Sequence, residues 1–194
     1  MYIIEDDYDS EFRYEGQPLR SLFLMNPEAV IHAGTFSKNM IPALRLGYLV
    51  LPEQLAPALL QTKERLNMRT NGETQIAMAH FMQCGAFVRH IAVMKRMYRK
   101  RHELLLNELQ SIFGEDVIVH SNAAGMHLYL SHRKNVFTVD DCAAFEQYGV
   151  IADCVAAYSS TQEAGGLLLG FGNLSESKII EGVRRLYRAI GALH

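Results

Sequence analysis

Two phrases in this chain place reactive side chains directly after apolar runs. The first is Glu5-Asp6-Asp7-Tyr8-Asp9-Ser10-Glu11-Phe12-Arg13-Tyr14, which follows Tyr2-Ile3-Ile4. The second is Gly34-Thr35-Phe36-Ser37-Lys38, leading into Pro42-Ala43-Leu44-Arg45-Leu46-Gly47-Tyr48. Together they offer a carboxylate, a phenol, hydroxyls, a primary amine and a guanidinium. Pyridoxal phosphate needs this set. Its ring nitrogen acts as an electron sink only when protonated, and a carboxylate holds that proton by charge. Its aldehyde needs a lysine amine made reactive by desolvation or by nearby cations. Its phosphate needs hydroxyl donors and a guanidinium fork. A lone lysine is ordinarily a solvated surface residue, and a lone aspartate a cap or turn residue. The weight lies in a lysine, a pair of adjacent aspartates and an arginine occurring together in two phrases that each follow an apolar run.

These groups must be carried by elements that end in the same place. Tyr2-Ile3-Ile4, Val30 to Gly34 and Leu46 to Leu51 read as short buried strands, with Pro18 and Asn26-Pro27 marking loops between the first two. Buried strands with long connections predict an α/β sheet, in which ligand groups gather outside the carboxyl ends of strands. Pro52 opens a predicted helix to about Leu66. Asn71-Gly72 breaks the chain, and Glu73 to Met82 is helical again. A long helix is predicted from Ala86 to Phe113, with an apolar stripe through Phe87, Ile91, Met94, Tyr98, Leu105, Leu109 and Ile112, and Gly114 ends it. Beyond it, Val117 to His120, Met126 to Leu130, Gly149 to Ala152 and Leu167 to Leu169 read as strands. Thr138, with Asp141 as a capping box, starts a helix through Tyr148. Ser175 caps a last helix with a stripe of Ile179, Val183, Leu186, Tyr187 and Ile190. The expected division is residues 1–100, part of a larger cofactor-binding domain, and 101–194, a small α+β domain.

Composition excludes several classes. A chain of 194 residues with 49% hydrophobic and 21% charged residues has an ordinary globular composition, and its net charge of -2 gives no general attraction to nucleic acid. The cationic run Arg89, His90, Lys95, Arg96, Arg99, Lys100, Arg101 and His102 reads as a solvated helix face. His127 reads as a satisfied core or interface histidine. Cys84, Cys142 and Cys154 fit no disulfide framework or zinc pattern and suit a reducing cytoplasm, so no metal is expected. No apolar run is long enough to cross a bilayer. Met1 running straight into an apolar strand reads as an internal start or a truncation.

The wording "EDDYDSEFRY", "GTFSK" and "LRLGYLV" resembles fold-type I aminotransferases, and in particular the aminotransferase-like domain of the MocR/GabR family of bacterial transcription regulators. Weaker echoes at Gly125-Met126-His127-Leu128 and Leu169-Gly170-Phe171 extend the resemblance over nearly the whole chain. It implies the C-terminal part of such a domain: a remnant of the large-domain sheet plus the small α+β domain. It also implies pyridoxal 5'-phosphate as cofactor. By position, Lys38 would form the Schiff base, Asp6 would pair with the ring nitrogen, and Tyr8 would bond the ring's phenolic oxygen. Thr35 and Ser37 would donate to the phosphate and Arg45 would clamp it. Asp7 is the rival carboxylate to Asp6. The resemblance further implies a homodimer and DNA contact only through an N-terminal winged helix-turn-helix.

Two departures from the family pattern stand out. The winged helix and the upstream part of the large domain have no counterpart in the 194 residues. In addition, Leu168 sits where many aminotransferases carry an arginine for the substrate carboxylate. Three functions are therefore expected to compete: an effector domain sensing an amine, an amino acid or the cofactor itself, a working aminotransferase, and an inert truncated product.

Overall fold

The computed structural model describes residues 1–17, 19–66, 71–120, 124–159 and 165–193; Pro18, read above as a loop marker, lies outside them. The chain forms two compact units, Met1–Lys95 and Arg96–His194. Among the described residues, no single helix is long and apolar enough to cross a membrane.

The first unit is built on three strands: β1 (Ile3–Asp7), β2 (Val30–Thr35) and β3 (Gly47–Val50). β2 lies in the middle, parallel to β1 and antiparallel to β3. Helices α1 (Leu22–Met25), α2 (Ala56–Arg65) and α3 (Gly72–Gln83) follow in chain order, as does the start of α4 (Ala86–Phe113). Asn71 does more than break the chain: its side chain accepts from the backbone N–H groups of Glu73 and Thr74 and caps α3. The buried residues of this unit include Phe12, Tyr14, Val30, Leu46 and Met78.

β1 and β3 are not buried strands. Ile3 is 46% exposed and Ile4 70%, and Tyr48, Leu49 and Val50 are exposed as well. Successive strand residues point to opposite faces, so exposure of both Ile3 and Ile4 leaves both faces open at the amino end of β1, whereas Glu5, on the Ile3 face, meets the start of α1.

The second unit has four antiparallel strands in the order β4 (Val117–His120), β5 (His127–His132), β7 (Gly166–Gly170) and β6 (Asp153–Cys154). Between β5 and β6 runs α5 (Val139–Ala144), and α6 (Glu176–Gly191) closes the chain. Register places Leu128 opposite Leu169 and Leu130 opposite Leu167, so one sheet face is apolar. Leu105, Leu109 and Phe113 of α4, Ile179, Val183, Leu186 and Ile190 of α6, and Phe137, Phe145 and Phe171 complete the core. The capping box at α5 is present: Thr138 Oγ1 accepts from Asp141 N at 3.2 Å, and Thr138 N donates to Asp141 Oδ2 at 2.8 Å.

Several details depart from the pattern read in sequence. Gly149 to Ala152 is not a strand. Gly149 has φ +69 and ends a 3-10 turn, Ile151 is 88% exposed, and pairing begins only at Asp153. Tyr187 is 53% exposed and leans edge-on against Phe113. His127 is exposed because it alternates with buried Leu128. His102 leaves the cationic face: it is buried and faces Phe171, since 98, 102, 105 and 109 form one helical stripe. Arg101 donates to the carbonyl of Gly172. Cys142 and Cys154 are buried and Cys84 is exposed; burial and a hydrogen bond with Cys154 push the Cys142 thiol up to about 12.

Leu130 is fully buried. Leu130→Ala should therefore destabilise the second unit by roughly 2–5 kcal/mol, and Thr138→Ala by about 1 kcal/mol. Urea titration followed by circular dichroism measures both.

Candidate functional site

The residues singled out in the sequence lie at one edge of the first unit's sheet. Asp6 and Tyr8 are at the carboxyl end of β1, and Thr35, Ser37 and Lys38 are at the carboxyl end of β2. Because β3 is antiparallel, its amino end meets that same edge, and Arg45 stands just before it. The register pairs Asp6 with Ala33, so Asp6, Ala33 and Thr35 share one sheet face, while Asp7, Gly34 and Tyr48 share the other.

The three consecutive carboxylates do different work. Glu5 accepts from Ser21 Oγ at 2.6 Å, Leu22 N at 2.7 Å and Phe23 N at 3.1 Å, and lies 3.0 Å from His32 Nδ1. It thus satisfies free N–H groups at the start of α1. These bonds, with Ser21 foremost, hold its carboxyl down at about 2. Asp7 accepts from the backbone N–H and hydroxyl of Ser10, at 3.2 Å and 2.7 Å. Asp6 is exposed, contrary to its reading as a buried strand-end group, and has no hydrogen-bond or ion-pair partner among the described residues. Tyr8 is 44% exposed; the charge of Asp9, burial and the charge of Asp6 raise its pKa, so its proton stays on at neutral pH.

Lys38 is exposed on a tight turn. Thr35 Oγ1 accepts from Ser37 N at 3.1 Å, which leaves the hydroxyl protons of Thr35 and Ser37 available as donors. Arg45 is exposed and left-handed, with φ 48, the one non-glycine residue with positive φ among those described; its N–H donates to Pro42 O at 3.2 Å. That conformation costs roughly 1–2 kcal/mol for a residue with a Cβ. Gly34 is required by close approach: a Cβ there would lie 2.2 Å from Tyr48 Cζ. Sequence reasoning passed over Glu5, Glu11 and Asn39, and it put His90 on the solvated face of α4, whereas that side chain is half-buried with Nε2 2.9 Å from Asn39 O. A run of three acids cannot be sorted into partnered and free members until the strand register is known.

The chemistry of the donor set fits pyridoxal phosphate. A free carboxylate, a protonated phenol, an exposed amine, two hydroxyls and an exposed guanidinium stand at one sheet edge, and none of the charged ones is neutralised by a described neighbour. In the second unit, Leu168 pairs across strands with Tyr129 and Asp153, so no guanidinium stands at that position. A groove of about 950 Å³ there is lined by His127, Asp153, Leu168, Phe171, Lys178 and Arg185, among others.

Residues 5–169 match the family described as aminotransferase class I and II. The chain belongs to that family. It is 34% identical over 190 residues to the HTH-type transcriptional regulator YhdI of Bacillus subtilis, covering 97% of this chain and 40% of the relative. It is 28% identical over 194 residues to the probable rhizopine catabolism regulatory protein MocR of Rhizobium meliloti, covering 99% and 39%. The chain thus spans about two-fifths of the length of these regulators. Among solved structures, it superposes on the Pyrococcus horikoshii kynurenine aminotransferase in complex with PMP at TM-score 0.89 and 25% identity, covering 99% of this chain and 48% of that one. The α-aminoadipate aminotransferase LysN of Thermus thermophilus, complexed with N-(5'-phosphopyridoxyl)-L-leucine, gives TM-score 0.88 and 25% identity, covering 100% and 51%. The fold is that of a fold-type I transferase, over about half of such a chain.

The lowered carboxyl of Glu5 sets a pH dependence. Its folded pKa lies below the ordinary 4.5, so the stability it contributes is full above 4.5 and is lost as pH falls towards about 2. Urea midpoints of the first unit should drop across that window, and Glu5→Gln should flatten the drop. An unchanged profile in the variant would show that another group controls acid unfolding.

Proposed function

We propose that this chain is the pyridoxal-phosphate-binding, ligand-sensing part of a MocR-type transcription regulator, with an amine or amino acid as its effector. The observation that carries this reading is the gathering of Asp6, Tyr8, Thr35, Ser37, Lys38 and Arg45 at one sheet edge, in a chain similar along its whole length to HTH-type regulators. When bound, pyridoxal phosphate supplies an aldehyde that reacts with amines and a ring that withdraws electrons. Lys38 would provide the amine for the aldehyde. Asp6 keeps a proton on the ring nitrogen by charge, and Tyr8, still protonated, donates to the ring oxygen. Arg45 offers its fork to the phosphate, with the hydroxyls of Thr35 and Ser37 beside it.

A second reading, a working aminotransferase, draws support from the likeness to such enzymes in fold. Lys38 Nζ would then serve as the general base and acid of the site. The sensor reading is favoured because Leu168 has Tyr129 and Asp153 beside it where a carboxylate-binding arginine would be expected. In the sensor reading the protein works as a homodimer in the cytoplasm and meets DNA through an N-terminal module; in the enzyme reading no DNA contact is needed.

Borohydride reduction with pyridoxal phosphate, followed by peptide mapping, should put the label on Lys38, and Lys38→Ala should abolish it. A label elsewhere, or none, overturns the reading. Arg45→Gly should leave stability within about 1 kcal/mol, because relief of the left-handed strain offsets the glycine's entropy, yet weaken cofactor binding by at least about tenfold. Sustained release of keto acid in a coupled assay would favour the enzyme over the sensor.

A further inference from the structure

The reactive lysine is exposed, and a four-carbon side chain on a loose turn would sample many positions. The turn that bears it is not loose. Met40 N donates to Phe36 O at 2.9 Å and closes the turn over Lys38. Before the lysine, the Phe36 ring packs against Tyr48, with centroids 5.4 Å apart, and edge-on against Phe87 at 5.9 Å. After the lysine comes Asn39, 3% exposed, the one buried polar side chain of the first unit among the described residues. Its Nδ2 donates to Glu11 Oε1 at 3.0 Å, and its backbone carbonyl lies 2.9 Å from His90 Nε2. The second contact requires the proton on Nε2, because a carbonyl can only accept.

A buried asparagine next to an exposed lysine is costly unless its polar atoms are partnered. Here one side of the residue is tied to the segment after β1 and the other to the start of α4, 28 residues before and 51 residues after it in the chain. Neither bond touches Lys38, so their effect on it runs through the backbone. Aspartate at this position would set a second carboxylate against Glu11, which explains the amide. The Oδ1 atom is buried with no donor among the described residues, so the Glu11 bond alone orients the side-chain amide.

We propose that Asn39 is a positioning residue for Lys38: tied to Glu11 by its amide and to His90 by its carbonyl, it fixes the turn that presents the amine to the cofactor. This rests on reading Lys38 as the cofactor lysine, and it assigns Glu11 and His90 as the two anchors of that turn.

The test uses the 194-residue chain with Asn39→Ala, Glu11→Ala and Glu11→Gln. Two readouts are taken: amide hydrogen exchange at Met40 without any cofactor, and the affinity and pH midpoint of the visible absorbance of the Lys38 adduct with pyridoxal phosphate. Asn39→Ala and Glu11→Ala should each speed Met40 exchange by about tenfold or more, weaken binding by a similar factor, and shift the pH midpoint. Glu11→Gln keeps an oxygen acceptor and should stay within about twofold of the parent. Should Asn39→Ala not fold, the two Glu11 variants carry the comparison. Parent-like exchange and an unshifted midpoint in both alanine variants would overturn the proposal, as would Glu11→Gln behaving like Glu11→Ala. If the parent chain takes no label on Lys38, the cofactor reading fails, and the clamp is then judged on Met40 exchange alone.

Discussion

β2 is hydrogen-bonded on both sides, and its two neighbours run in opposite senses. A parallel neighbour ends where β2 ends, and an antiparallel one begins there. This mixed pairing brings three chain segments to a single sheet edge with a tight turn and a short 3-10 stretch as the only connections between β2 and β3. Were β3 parallel, Arg45 would stand at the far end of the sheet, about 13–17 Å away at 3.3 Å per residue. The packing of Tyr48 over Gly34 fixes this register, since any side chain at position 34 would occupy the space of the ring.

Around this edge, neighbouring residues in sequence divide between holding the structure and facing outwards. Glu5 and Asp7 are engaged by Ser21, the α1 amides and Ser10, while Asp6 between them has no described partner. Phe36 and Asn39 are fastened, while Lys38 is exposed. Arg45 is held in a left-handed conformation by the turn that precedes it. Side chains that must meet a ligand gain from such an arrangement, because the ordering of the backbone is complete before the ligand arrives. The second unit shows the contrasting case of a closed apolar face, with Leu128, Leu130 and Leu167 almost wholly buried.

Much of this was legible in the sequence. The long helix from Ala86 to Phe113 could be read from its apolar period, and the caps at Thr138 and Ser175 from residue type and offset. The fold class followed from two phrases whose wording is specific. Burial was less legible: Ile3 and Ile4 read as core because apolar character reports what a strand can pack against, not what is packed there. His102 falls within the basic run along the chain, but the turn of the helix puts it on the buried stripe. Asn39 carried no signal of its own. Its role depends on Glu11 and His90, and only folding brings those two residues to it.

The three cysteines differ in a way that has practical use. Cys142 and Cys154 are enclosed, and the former keeps its proton far above neutral pH, whereas Cys84 lies open at the end of α3. A maleimide dye added to the native chain will therefore attach at one place without any cysteine being engineered away. That place is six residues ahead of His90, which makes it a convenient vantage point for a spectroscopic reporter on the lysine-bearing turn.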